Sequence, residues 1–339
     1  MKKMFRIILF VALFFSSNVF AEEKVSEKTS KKKLTIITGS STGTYFIFAN
    51  DIKKALANLM DIDIKESTGS IDNIRRISTV DNNALAVVQS DVFGFLMRSK
   101  ENESKGLASK LSMIFPLYVE EVHILTKKDI KSIDDLKGKV VSVGSVGSGS
   151  WLTGTNLFNI LDIKPSKTLR LTAEKGIVAV LSGEADAVIF VGGKPVKVFE
   201  NLASLAEYKE YAKMLDKVHF LPIESPKLEK EYIKTKITKE DYPFVRREVS
   251  TIAVMSILIA YDTFPDKGGN STVKQKCELI KEFRRLLSSN LDKLKKNGHK
   301  KWKEVDINAE VGFWKRSECA SESSGVTDLE NEFLLEISK

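Results

Sequence analysis

"LTIITGSSTGTYF", residues 34–46, is the stretch on which the reading of the whole chain turns. Leu34 to Thr38 is apolar and β-branched, the composition of a buried strand, and Tyr45 to Leu59 has apolar side chains at helical spacing. Between them lies a glycine-serine loop. Gly39-Ser40-Ser41-Thr42-Gly43 matches the G-x-S-x-G elbow that presents a hydrolase serine. It equally matches a loop whose backbone N–H groups and hydroxyls hold a ligand at a helix N-terminus.

The same figure returns at "VSVGSVGSGSW", residues 141–151. Around the first loop the pattern predicts strands at 34–38, 62–66 and 84–89 and helices at 43–60, 71–79 and 90–98. Around the second it predicts strands at 139–143, 168–172 and 186–191 and helices at 150–161, 174–182 and 195–206. Alternating strands and helices imply an α/β architecture with parallel strands, here laid out twice. Val119 to Thr126 is expected to cross from one lobe to the other and Lys217 to Ile223 to cross back, which makes a two-strand hinge. An apolar strand follows at 252–260, then a long helix at 272–296 whose Val273, Cys277, Ile280, Phe283, Leu287, Leu291 and Leu294 form one face. Lys274, Lys281, Arg284, Arg285, Lys293, Lys295 and Lys296 cover much of the rest, as a solvated face or one that docks on an anionic surface.

The first 21 residues have the form of a secretory signal: Lys2, Lys3 and Arg6, an apolar run from Ile7 to Phe15, and a cleavage site ending at Ala21. Export to the periplasm is therefore expected, followed by a flexible charged leader at 22–33, "EEKVSEKTSKKK". Loss of three positive charges lowers the net charge from +8 to +5, too moderate for a nucleic-acid partner. The apolar run near 252–260 is far short of the ~20 residues that span a bilayer. Two cysteines, Cys277 and Cys319, and three scattered histidines show no metal-ligand spacing, and no cofactor is expected. An exported compartment permits a disulfide between the two cysteines but does not require it.

In open α/β sheets ligands sit beyond the carboxyl ends of the strands. Four stretches fall there. Gly39 to Tyr45 offers Ser40, Thr42, Gly43 and an aromatic wall in Tyr45; "STGSIDN" offers Thr68, Gly69, Ser70 and Asn73; "GSVGSGS" offers Ser148, Gly149 and Ser150; "VGGKP" offers Lys194 and Pro195. Gln89-Ser90-Asp91 is either a cap after the third strand or part of the pocket. Each stretch alone also fits an ordinary turn and helix cap. The loop at 144–150 fails sharper motifs, with Leu152 where a dinucleotide fingerprint needs glycine and no lysine before Thr155 for a phosphate loop. An exported serine hydrolase using Ser41 is the alternative, but only 19 residues would precede Ser41 after cleavage, too few for the loop that completes an oxyanion hole.

The chain resembles the TAXI family, the extracytoplasmic solute-binding proteins of a class of TRAP transporters. "TGSSTGTYF", "STGSIDNIRRIS", "AVVQSDV", "EEVHIL", "SIDDLKGKVVSVGSVGSGS", "GEADAVIFVGGKP", "YPF" and "VSTIAV" occur in order between about Leu34 and Ala260. The resemblance implies a two-lobed periplasmic binding fold of type II, a Venus flytrap. It would have a discontinuous first lobe, 34–121 with 220–339, and a second lobe at 122–219. It also implies a monomer that closes on a small carboxylate such as glutamate, glutamine or 2-oxoglutarate and hands it to TRAP membrane subunits. By motif position Ser40, Thr42, Gly43 and Tyr45 would line one side, with Thr68, Gly69, Ser70 and Asn73 beside them. Gln89 would lie deeper, and Ser148, Gly149 and Ser150 would close from the other lobe. Lys194 stands where the family usually has histidine before the proline, which leaves open either a more acidic ligand or an outward-pointing lysine. A sensing module without transport is a further alternative.

Overall fold

The computed structural model describes residues 31–41, 43–205, 208–261 and 271–320. The expected signal segment, most of the leader, and Thr42 lie outside these residues. The elements follow in chain order: β1 Lys33–Ile37, α1 Thr44–Ala55, β2 Asp61–Lys65, α2 Ser70–Arg76, β3 Ala84–Gln89, α3 Val92–Arg98, α4 Asn102–Ala108 and β4 Leu111–Lys127. Then come β5 Val140–Ser142, α5 Gly149–Leu161, β6 Lys167–Leu169, α6 Ala173–Ser182, β7 Ala187–Gly192, α7 Lys197–Leu205, α8 Lys209–Leu215, β8 Val218–Phe220, β9 Ile233–Ile237, β10 Val249–Tyr261, α9 Ser271–Ser289 and α10 Leu291–Asn297.

All ten strands join one sheet in the order β2-β1-β3-β10-β4-β7-β5-β6, with β9 added to β10 and β8 to β4. The plan is written twice. In the first half β2, β1 and β3 are parallel, antiparallel β10 follows, and β4 closes the order. In the second, β6, β5 and β7 are parallel, antiparallel β4 follows, and β8 closes it. Two parallel-stranded halves joined by long shared strands are the arrangement of a type II periplasmic binding fold. Among the described residues no helix is long and apolar enough to cross a membrane.

Strand alternation explains how each half buries both faces of its sheet. In β3, Leu85 and Val87 pack with α1, α9 and α10, while Ala86 and Val88 pack with α2 and α3 on the other face. In the second half, Val141, Ile189 and Val191 pack against α5, whereas Val188 joins Ile177, Val180 and Phe199 from α6 and α7.

The crossing strands differ from the sequence expectation. β4 does run through both halves, pairing with β10 along Leu111–Glu121 and with β7 along Glu121–Thr126. Lys217 to Ile223 does not cross back: among the described residues Val218–Phe220 pairs with Leu125–Lys127 alone, in the second half. The strand that spans both is β10, held by β9 at Val249–Ala253 and by β3 at Ser256–Ala260. It reads as an ordinary buried strand in sequence because its β3 and β4 neighbours are distant in the chain.

The long helix is interrupted at Asn290, which caps α10 and whose side-chain amide is spent on the Leu286 carbonyl at 2.9 Å. The apolar face holds, with Ile280, Phe283, Leu287 and Leu294 buried. Arg284 is a correction: it is buried, donates to the Ile114 carbonyl at 2.8 Å and lies over Phe115. Cys277 and Cys319 form a disulfide that ties α9 to the end of the described chain. There Met113, near the start of β4, donates its amide to the Lys315 carbonyl at 2.8 Å and accepts from the Ser317 amide at 2.9 Å.

Candidate functional site

The first loop is built around Thr38. Its carbonyl accepts from Ser67 Oγ at 2.7 Å and from Asn73 Nδ2 at 2.5 Å, which locks the loop after β1 onto the loop after β2. Gly43 caps α1 and its amide donates to the Ser40 carbonyl at 2.8 Å, while Ser40 itself is exposed. One residue into α1, Tyr45 is buried and its hydroxyl donates to Glu120 Oε2 at 2.9 Å. Burial, with the Glu120 charge beside it, raises the Tyr45 pKa well above the usual phenol value. Ser41 is exposed and its amide donates to Glu66 at 3.0 Å. The rings of His123, His219 and His299 are bonded to the Glu121 carbonyl, the Ile130 carbonyl and the Lys301 amide, and not to Ser41.

At the second loop Gly69 has φ +121° and ψ −158°, a conformation essentially reserved for glycine. Thr68 is exposed, with its amide on Asp72. Ser70 is fully buried, accepts from the Gln89 amide at 3.1 Å and is bonded to Tyr45. Asn73 is framework: its Nδ2 is spent on the Thr38 and Val87 carbonyls.

The loop after β5 comes from the other half and meets these residues directly. Ile71 N–H donates to the Gly147 carbonyl at 3.2 Å. A Cβ on Gly69 would stand 3.3 Å from Gly149 N and Ser148 Cα, and one on Gly149 would stand 2.2 Å from Gln89 Oε1. Ser148 caps α5, accepting from the Trp151 amide at 3.1 Å. Tyr45, Gly69, Ser70, Gln89, Ser148 and Gly149 are therefore brought together. Ser150 turns away, with Oγ accepting from the Val191 amide at 3.0 Å.

Lys194 and Pro195 are not part of this group. The Lys194 ammonium donates to Asp241 at 3.1 Å and to the Lys236 carbonyl, so its charge is directed to the far side of the second half. Only its backbone faces inward, with the amide on Glu121 Oε2 at 2.9 Å. The Lys194–Pro195 peptide is cis. Sequence pattern names a residue's place in a loop but not the direction of a long side chain, which here is set by an acid 47 residues away.

The charged residues at the centre were missed as site candidates. Glu120 and Glu121 stand where β4 passes from one half to the other, only 4 % and 2 % exposed, and alternation sends them to opposite faces. Burial raises the Glu120 pKa to about 8 against the opposing hydrogen bonds from Tyr45 and Gln89. Burial raises Glu121 too, opposed first by Lys301, whose ammonium lies 3.0 Å from it. His123 is held neutral, its pKa lowered by burial to about 3, and it bridges the Glu121 carbonyl and the Tyr242 hydroxyl. Two adjacent acids in an otherwise apolar crossing stretch were the available signal.

A second buried group crosses between the halves. Asp91 Oδ2 accepts from Thr153 at 2.8 Å, Tyr232 at 3.2 Å and Asn156 at 3.4 Å, and burial raises its pKa to about 6. Gln89 links the two groups, bonded to Glu120 and, at 3.4 Å, to Thr153. Together they form a polar seam along the junction. Two cavities lie outside the loops. One of about 450 Å³ is lined by residues from Ile223 to Ile252, and one of about 110 Å³ lies between Ser90, Glu231 and Trp314.

Among solved structures, the chain is similar to MatC (Rpa3494) from Rhodopseudomonas palustris, determined with bound malate, at 14 % identity over 91 % of this chain and 97 % of that one, TM-score 0.44. It is similar to the periplasmic binding protein BugD at 10 % identity over 76 % and 86 %, TM-score 0.43. A TctC solute binding protein from Polaromonas matches at 13 % identity over 77 % and 89 %, TM-score 0.40. The profile of the NMT1-like family covers residues 36–308, which takes in the strands of both halves and the loops described above. The chain belongs to the NMT1-like family.

Proposed function

We propose that this chain is the extracytoplasmic solute-binding protein of a TRAP-type transporter of the TAXI class. It clamps a small carboxylate, an amino acid or a dicarboxylate, between two lobes and delivers it to membrane subunits as a monomer, after export directed by residues 1–21. The observation that carries the reading is the meeting of two glycine-serine loops, one from each half of the sheet: Gly69, in the loop after β2, lies against Ser148 and Gly149 at the start of α5, and Tyr45 in the first turn of α1 is bonded to the neighbouring Ser70. Both helices are longer than three turns and turn their positive ends toward the junction. The order of the TAXI-like motifs along the sequence supports the transporter class.

In this reading the hinge is β4 and β10, the first lobe is 34–119 with 256–320, and the second extends from 122 to about 254. The packing of Leu221, Ile223, Tyr232, Ile252 and Val254 in the core of the second half supports a return crossing there and not near 220. The ligand set is Ser40, Thr42, Gly43, Tyr45, Thr68, Gly69, Ser70, Gln89, Ser148 and Gly149. Asn73 and Ser150 support it, while the Lys194 amide holds Glu121 and Pro195 has no part in it.

The test is a thermal-shift panel of amino acids, dicarboxylates and oxo-acids on the mature protein. A solute at a hundred times its Kd adds about 2.7 kcal/mol of stability, a rise of roughly 4 °C in Tm for a chain of this size. One chemically coherent set of solutes is expected to do this. A flat response across the panel contradicts the proposal.

A further inference from the structure

We propose that Glu120 is the receptor for an ammonium group, so that the cleft selects α-amino acids over dicarboxylates and oxo-acids; this rests on the solute-binding reading above. Glu120 and Glu121 make a natural comparison, since they are adjacent on β4 and almost equally buried. Glu121 has its countercharge inside the protein, in Lys301 at 3.0 and 3.3 Å. Glu120 has no cation in contact with it among the described residues, and Lys301 acts on it only at a distance. Its partners are neutral donors: the Tyr45 hydroxyl at 2.9 Å, the Tyr118 hydroxyl at 3.5 Å and the Gln89 amide.

Three donors converging on one carboxyl suit its anionic, acceptor-only form. A buried anion held by neutral donors alone is costly, and a cation placed against it removes most of that cost. The group lies beside the loop junction, next to Gln89, whose side chain touches Gly149 from the other half. A zwitterion fits this polarity: its ammonium meets Glu120, and its carboxylate is left to the N–H groups at the starts of α1 and α5. A dicarboxylate would instead bring a second negative charge toward a buried acid.

The arrangement has a pH signature. Without solute Glu120 is protonated below about pH 8. An ammonium lowers that value, so binding expels a proton and amino-acid affinity rises with pH until Glu120 is ionised. The other ionisable groups that act on Glu120 are Tyr45 and Tyr118 through hydrogen bonds and Glu121 and Lys301 through their charges. Both tyrosines are raised well above the usual phenol value and stay protonated, and Glu121 and Lys301 are paired with each other.

Calorimetric titration of the mature protein with L-glutamate, L-glutamine and L-leucine, each against its 2-oxo acid, tests the assignment. The amino acid that binds is expected to exceed its oxo-acid by about 30-fold or more near pH 8. Glu120→Gln should remove that preference by weakening the amino acid alone, with the unliganded Tm retained. In the wild type, proton release, read from buffers of different ionisation heat, is expected for amino acids and not for oxo-acids. Oxo-acids binding as tightly as amino acids, or Glu120→Gln weakening both alike, would overturn this inference and leave the solute-binding reading standing. Binding of neither class, by wild type or variant, would overturn both.

Discussion

Replacing Lys301 by methionine is expected to lower the unfolding free energy by about 3–5 kcal/mol, and adding Glu121→Gln to restore most of the loss. The Lys301 side chain is 1 % exposed and that of Glu121 3 %. The ammonium also holds Glu304 at 2.9 Å, and Glu121 keeps the Lys194 amide at 2.9 Å. Without Lys301, Glu121 retains one hydrogen bond in a site that already raises its pKa, and it must either stay charged at high cost or take up a proton. Glutamine keeps the shape and the Lys194 bond without the charge. The pair fastens the C-terminal turn at 300–304 to the midpoint of β4, so its loss loosens the point about which the two halves are joined. Urea unfolding measures it as a fall in the midpoint at unchanged slope. A shift under 1 kcal/mol for Lys301→Met, or no recovery in the double variant, contradicts this account.

Gly149 is the other position of large expected effect, and here function is lost while the fold is kept. Its backbone is in an ordinary helical first turn, so leucine is tolerated by the chain itself. The obstacle is across the junction. A Cβ would lie 2.2 Å from Gln89 Oε1 and 2.4 Å from Gln89 Cδ. Gln89 can yield only by giving up its bonds to Glu120 and Thr153. With a leucine branch beyond that Cβ the halves cannot come to their present contact. If the closed form falls to about one part in a hundred, apparent affinity falls about 100-fold. The paired variant Gly149→Ala with Gln89→Ala should close again, because the three atoms nearest that Cβ all belong to the Gln89 side chain. Scattering should show the leucine variant remaining expanded with solute while the paired variant compacts. Unchanged affinity in Gly149→Leu would mean that the two loops do not meet around the solute.

The fold was legible where local pattern fixes it. Strand β3 was found to the residue, and β1, β2, β5 and β7 within one or two, because apolar β-branched runs end in glycine or polar turns. Long-range pairing was not legible. The strand at 252–260 was recognised, but its role beside β4 depends on partners more than a hundred residues away, which no local window contains. Short α4 and α8 and the lysine-rich edge strand β9 escaped because their side chains are mostly exposed and leave little periodicity to read. Glycine and serine at the loops were readable, since backbone approach needs them whatever lies opposite. The direction of Lys194 stayed open in the sequence because its Asp241 partner lies on a segment brought near only by the sheet. Glu120 was overlooked although the double acid in "VEEVHILT" is conspicuous, because burial turns an acid into a site feature and burial belongs to the packed structure.

The most direct test of the central claim is a crystal structure of the mature protein with the solute that gives the strongest thermal shift. Electron density for the solute is expected at the junction of the halves, in contact with the Gly43–Tyr45 and Ser148–Gly149 segments and within reach of Ser70, Gln89 and Glu120. Solute bound instead in the 450 Å³ groove between Ile223 and Ile252, with the loop junction unchanged, would contradict it.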